Sequence, residues 1–249
     1  MNKKELINSI FYPRPSGIPK DEKDHLINTS DDKIIGSRFF LHNKNFPTII
    51  FFHGNAELAQ EYDDIANYYK RFDLNFIVVD YQGYGLSSGV PNIENLHCDA
   101  NTAFLYIKDY LNRNKYIGKI FIMGRSLGSA SAFEIINQHN DKIDGCIIES
   151  GFATEYPLLA LMGINSEDIN FSLEDGFMNL EKNKNYRGRL FIIHADLDDI
   201  IPFSQAELIL LESPSSDKEL YRVNGANHNN ILMIAREEYF KKIQDFTYR

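Results

Sequence analysis

Apolar residues along this chain fall into short dense blocks separated by longer stretches of helical spacing. Thr48-Ile49-Ile50-Phe51-Phe52, Phe76-Ile77-Val78-Val79, Ile120-Phe121-Ile122-Met123, Cys146-Ile147-Ile148 and Leu190-Phe191-Ile192-Ile193 are such blocks. Continuous runs of this kind predict strands buried on both faces, as in a parallel sheet. Residues 33–41 alternate into a further strand, and residues 218–223 predict another. Between the blocks, residues 58–72 form an amphipathic segment and 92–112 have helical spacing. Helices are also predicted from the turn at Ser126 to about residue 138, over 202–211 with Pro202 in the first turn, and over about 231–246. Strands alternating with helices give an α/β class, a mostly parallel central sheet with helices on both faces.

The alternation fails at two places. Residues 1–32 are rich in Pro, Lys, Asp and Glu and read as a peripheral N-terminal arm or loose edge. Residues 151–189 lose the strand–helix order and read as a short insertion in a single domain over 33–249. A chain of 249 residues suits one such domain, burying roughly three quarters of its unfolded surface. No internal repeat or low-complexity tract interrupts it.

Charge narrows the partners. Twenty-six basic against 35 acidic residues leave a net charge of -9, without a basic cluster, which argues against nucleic acid and against electrostatic docking to anionic lipid. Cys98 and Cys146 are too few for a disulfide framework and read as reduced packing residues. Met1-Asn2-Lys3-Lys4-Glu5 is not followed by the apolar core of a signal peptide, and no apolar run approaches a membrane span. The expected location is the cytoplasm, with no integral membrane segment.

The chemistry concentrates at Gly124-Arg125-Ser126-Leu127-Gly128. An apolar block stops at Gly124, Ser126 follows, and small residues then open a helix: strand, sharp turn, helix, with a hydroxyl at the tip. Gly85-Leu86-Ser87-Ser88-Gly89 has the same spacing, but no apolar block abuts it and Pro91 follows, so it reads as a glycine-rich loop. A serine hydroxyl needs a base, and the base needs an orienting carboxylate. His228 is the best-placed histidine, in a loop between the 218–223 strand and the last helix. His53 and His194 also end strands but precede tight turns, which favours structural roles; His25, His42, His97 and His139 read as solvated. Asp196, Asp198 and Asp199 follow the 190–193 strand. Asp198 is favoured as orienter, Asp199 is the runner-up, and Asp196 a turn former. The oxyanion donors are expected to be the backbone N–H groups of Leu127, directly after the nucleophile, and of Asn55, after the 48–52 strand. Tyr156, Leu158, Leu159 and Met162 form an apolar set that either lines an acyl pocket or packs over the sheet. Arg125 reads as a structural ion-pair partner, and Glu149 and Ser150 end a strand near the site.

These motifs taken together resemble the alpha/beta-hydrolase superfamily from about residue 33 onward. The likeness is carried by FFHGNAE at 51–57, DYQGYGLSSG at 80–89, GRSLGS at 124–129, HADLDDIIP at 194–202 and GANHNN at 225–230. FFHGN together with GRSLG is similar to the branch that holds protein-depalmitoylating serine hydrolases and many bacterial esterases. The chain departs from the family pattern at Ala195, where Gly is usual, and at Gln82, where Arg is common, and it has no membrane-anchoring cysteine cluster. The resemblance implies a nucleophile, acid and histidine at Ser126, Asp198 and His228, a minimal cap over 151–189, and a serine hydrolase acting on a small-molecule carboxylic ester or thioester. A peptidase on short peptides and a non-catalytic binding protein are the alternatives. No organic cofactor or metal is implied.

Overall fold

The computed structural model describes residues 3–249. Its centre is an eight-stranded sheet: β1 (Asp24–Asn28), β2 (Ile34–Phe40), β3 (Thr48–Phe52), β4 (Asn75–Val79), β5 (Ile120–Arg125), β6 (Gly145–Glu149), β7 (Leu190–Ala195) and β8 (Lys218–Val223). The spatial order is β1-β2-β4-β3-β5-β6-β7-β8. β2 runs antiparallel to both its neighbours, and β3 to β8 are mutually parallel. Every parallel strand except β8 therefore has two hydrogen-bonded neighbours, and its loops leave toward one common edge.

The apolar blocks are continuous because each strand feeds two cores. Ile50, Phe52, Ile77, Val79 and Ile122 point to one face, and Ile49, Phe51, Phe76, Val78 and Met123 to the other. The first face is covered by α3 (Ile93–Arg113), α4 (Gly128–His139), α6 (Asn179–Asn185) and α7 (Ser204–Glu212). The second is covered by α2 (Asp63–Arg71), α8 (Ile231–Ala235) and α9 (Glu237–Tyr248). The expected final helix is thus two, because Arg236 takes φ +50° and turns the chain between them.

Residues 1–32, read as an arm, contain more order than their composition suggests. α1 (Lys3–Asn8) precedes β1, which is the antiparallel edge strand of the sheet. The acidic run has a local cause. Arg38 on β2 is buried, and its guanidinium bonds Asp24 (2.8 Å), Asp21 (2.8 Å) and Asp63 on α2 (2.5 Å). An isolated buried guanidinium would be costly, and these carboxylates neutralise it while pinning the edge strand. The 151–189 segment holds α5 (Tyr156–Leu161), a short 3-10 turn at 173–175, and α6, which packs on α4. Among the described residues no helix is long and apolar enough to cross a membrane.

Candidate active site

β5 delivers Ser126 to the edge where the parallel strands end. Ser126 has φ +51°, and its N–H donates to the Glu149 carbonyl on β6 at 2.9 Å. The turn into α4 is this sharp because two glycines let backbones meet. A methyl group on Gly128 would lie 2.0 Å from the Phe52 carbonyl oxygen, and one on Gly124 2.3 Å from the Gly128 carbonyl oxygen. No larger residue fits without moving a neighbouring element.

Two other loops meet Ser126 there. The β8–α8 loop brings His228 Nε2 to 3.0 Å from Ser126 Oγ. The β7–α7 loop brings Asp198 Oδ2 to 2.8 Å from His228 Nδ1. Asp198 is itself fixed, its Oδ1 accepting the N–H groups of Ile201 (2.8 Å) and Ile200 (3.1 Å). Burial pushes the Asp198 carboxyl up, but the bond and charge of His228 and the Ile201 N–H outweigh it, and its pKa lies below the ordinary value. A carboxylate so placed holds the imidazole with Nδ1 protonated and Nε2 free to accept. Asp199 points to solvent, and Asp196 caps the turn by accepting the Gly225 N–H at 2.7 Å.

The rival histidines have other partners. His53 is fully buried, with Nδ1 against the Gly54 carbonyl (2.8 Å) and Nε2 against Asp80 (3.1 Å). His194 donates to the Ile201 carbonyl at 2.8 Å and braces the loop that carries Asp198. His97, read as solvated, is half-buried, with Nε2 3.0 Å from Lys182 Nζ; burial takes its pKa down to about 4.

A cavity of about 350 Å³ opens over Ser126. Asn55 and Leu127 line it, and no hydrogen bond among the described residues uses either backbone N–H. One wall is apolar: Phe152, Leu158, Leu161, Met162, Ile200 and Ile201. Ser9, Ile10 and Tyr12 from the N-terminal segment line the cavity as well. Of the apolar set singled out in the sequence, Leu158 and Met162 line the cavity. Leu159 instead faces the core, fully buried, because it lies on the opposite side of α5. Tyr156 turns away against Phe171 at a ring separation of 6.1 Å. The helical phase of a six-residue α5 was not readable from a run of consecutive apolar residues, and Ile200, Ile201 and the N-terminal wall carry no local signal at all.

Arg125, next to Ser126, is an ion-pair partner, as its position suggested. It pairs with Glu57 and stands 3.4 Å from Glu149, whose other oxygen accepts the Tyr239 hydroxyl at 2.6 Å. Its Nη2 also donates to the His228 carbonyl at 2.8 Å, a contact the sequence did not disclose. Burial raises the Glu149 carboxyl above its ordinary pKa; at Glu57 burial acts the same way, but the Arg125 charge prevails and lowers it. Among the described residues no three His, Cys, Asp or Glu side chains gather as metal ligands would.

Residues 43–163 match a family model described as serine aminopeptidase, S33. Protein bem46 of Schizosaccharomyces pombe is 27% identical over 203 residues, spanning 80% of this chain and 67% of that protein. The human alpha/beta hydrolase domain-containing protein 17B is 28% identical over 201 residues, 80% of this chain and 65% of that one. The matched stretch thus spans about two thirds of the length of these relatives. Among solved structures, the Pyrococcus furiosus esterase Pf2001 superposes with a TM-score of 0.78 at 18% identity, covering 96% of this chain and 98% of the esterase. At that identity the likeness is one of fold.

Proposed function

From the premise that this chain has the alpha/beta-hydrolase fold, we propose that it is a serine hydrolase that cleaves a carboxylic ester or thioester through an acyl-enzyme. The observation that carries this reading is the unbroken relay from Ser126 Oγ through His228 to a buried Asp198, with links of 3.0 and 2.8 Å. His228 Nε2 takes the hydroxyl proton as Ser126 Oγ attacks the acyl carbon. Charge develops on the acyl oxygen, and the N–H groups of Asn55 and Leu127, which have no other acceptor among the described residues, receive it. The imidazolium passes its proton to the leaving alkoxide or thiolate. Water then enters, His228 takes its proton as the oxygen attacks the acyl carbon, and the acyl–Oγ bond breaks as His228 returns that proton to Ser126 Oγ, releasing the acid. Asp198 stays ionised throughout and balances the imidazolium.

The apolar wall of Leu158, Leu161 and Met162 supports an acyl group of small or medium size in a cavity of about 350 Å³. A second reading, hydrolysis of an aminoacyl amide, draws on the description of the matched family model. A panel of esters, thioesters and aminoacyl amides of graded chain length, run on the parent and Ser126→Ala, separates the two. Turnover of acyl esters that falls by about 10⁴ or more in the variant is expected. An unchanged rate in Ser126→Ala removes the serine from the mechanism, and turnover confined to amides replaces the ester reading with the second one.

A further inference from the structure

The loop between β3 and α2 carries the Asn55 amide; its own bonds close the turn around that residue, the Glu57 N–H on the Gly54 carbonyl at 3.3 Å and the Gly54 N–H on Glu57 Oε2 at 2.8 Å, but among the described residues neither engages Asn55 itself. Both polar atoms of the Asn55 side chain are held from elsewhere. Nδ2 donates to the Ile10 carbonyl at 2.6 Å, and Oδ1 accepts the Tyr12 N–H at 3.0 Å and the Tyr84 hydroxyl at 2.7 Å. The Tyr12 N–H also lies 2.8 Å from the Tyr84 oxygen, closing a three-membered set of contacts. Two residues further along, Arg14 Nε donates to the Ala56 carbonyl at 2.6 Å, and its Nη2 pairs with Glu61 at 2.5 Å. Ala56 has φ +62°, a conformation an alanine adopts only when its surroundings impose it. The segment is anchored in turn on the 81–85 loop, where Ser16 N–H donates to the Gly85 carbonyl (2.9 Å) and Gly85 N–H to the Arg14 carbonyl (3.0 Å).

We propose that residues 10–14, together with Tyr84, act as a strap that positions the Asn55 N–H for the oxyanion. The proposal rests on the reading of Asn55 given above. The physical reason is geometric. A donor works only within about 0.5 Å of its required place, and a displacement of 1 Å costs about a hundredfold. A loop end with φ +62° beside it drifts once its side chain is released. Tyr84 and Tyr12 touch no substrate in this scheme; they act through Asn55 and are positioning residues. The same strap forms one wall of the cavity, so donor placement and cavity shape come from one segment.

Tyr84→Phe removes the hydroxyl and keeps the buried ring, and Asn55→Ala keeps the backbone N–H and removes both side-chain anchors. With a p-nitrophenyl ester, kcat is expected to fall about tenfold in the first and about a hundredfold in the second, with KM within about threefold of the parent. The double variant is expected to be no slower than Asn55→Ala alone, because Tyr84 acts through Asn55. Lys4→Ala, on the exposed pair with Glu94, serves as the unaffected control. Hydrogen exchange of the peptide covering 53–58 is expected to accelerate in both single variants. Parental kcat in both, additive losses in the double variant, or a loss carried by KM alone overturns the strap. A parent inactive on the whole substrate panel sinks the hydrolase reading instead. The exchange comparison then still decides the strap: acceleration at 53–58 supports it, and unchanged exchange overturns it.

Discussion

Asp198→Asn tests the relay at the end farthest from the substrate. Oδ1 of Asp198 accepts two backbone N–H groups, from Ile201 and Ile200, at 2.8 and 3.1 Å. An asparagine amide in the same place must keep its carbonyl there, since an NH2 group would face two donors. Its NH2 therefore replaces Oδ2, 2.8 Å from His228 Nδ1. Oδ1 also lies 3.0 Å from Nδ1, but a donor at the nearer position favours an unprotonated Nδ1 and moves the imidazole proton onto Nε2. That nitrogen lies 3.0 Å from Ser126 Oγ and can no longer take its proton. The charge opposite the imidazolium is lost as well. The two effects together are worth about 10⁴ in kcat, or about 5.5 kcal/mol at the transition state. The side chains are isosteric, so the unfolding midpoint is expected to move little. Asp199→Asn is the matched control, because its carboxylate faces solvent, and it is expected to stay within about twofold of the parent. Steady-state ester hydrolysis and a thermal melt on the same preparations decide the matter. If Asp198→Asn keeps more than a tenth of the parental kcat, or if Asp199→Asn loses as much, the assignment of the orienting acid is wrong.

Two further perturbations test the fold beneath the site. Gly128→Ala puts a methyl 2.0 Å from the Phe52 carbonyl oxygen and 2.8 Å from that of His53, both backbone atoms that cannot swing aside; a loss of about 4 kcal/mol or more and a melting point lower by about 8–16 °C are expected, whereas Gly17→Ala, with nothing within 4 Å, should be silent, and a Gly128→Ala melt within 2 °C of the parent would contradict the packing described at the elbow. Asp99 on α3 is buried with Oδ2 unpartnered among the described residues, and burial pushes its carboxyl up to about 7. Between about pH 4 and 7 the folded chain therefore holds a proton there that the unfolded chain has lost, and stability falls as pH rises through that window. Asp99→Asn removes this titration, so denaturant midpoints measured from pH 4 to 8 should show the variant gaining on the parent with rising pH, by on the order of 1 kcal/mol once solvent screening is allowed for; parallel pH profiles would refute it.

What the sequence displayed, and what it hid, follows from where each signal comes from. β3 to β7 were legible because burial on both faces writes an uninterrupted apolar block, and Ser126, Asp198 and His228 were legible because each lies in the loop or turn that follows a strand. β1 was not, because this edge strand buries only Asp24 and Ile27, and one of those two positions is spent on Asp24, a counter-charge for Arg38. The break at Arg236 has no Gly or Pro to announce it. The phase of α5 decides which of Leu158, Leu159 and Met162 meet the cavity, and phase in a helix of six residues is set by what it docks on. Ile10 and Tyr12 lie 45 and 43 residues from the Asn55 they grip, and no local pattern encodes a contact of that separation.

Arg125 ties three of these segments together at one point. A buried ion pair is weak evidence for stability, since removing two charges from water costs about as much as their attraction returns. Stability alone is therefore a poor account of a guanidinium that is set against Glu57 and, 3.4 Å away, Glu149. Its geometry gives a better one. Arg125 ends β5 beside Ser126, Glu57 belongs to the same loop as Asn55, and the carbonyl that Arg125 Nη2 holds at 2.8 Å is that of His228. One planar cation with donors in fixed directions thus spans the elbow, the Asn55 loop and the histidine loop, three segments that the sheet brings to one edge but does not itself register against each other. Lysine in its place would keep the charge and lose the simultaneous reach, because a single ammonium on a flexible stem has no fixed fork to offer two carboxylates and a carbonyl at once.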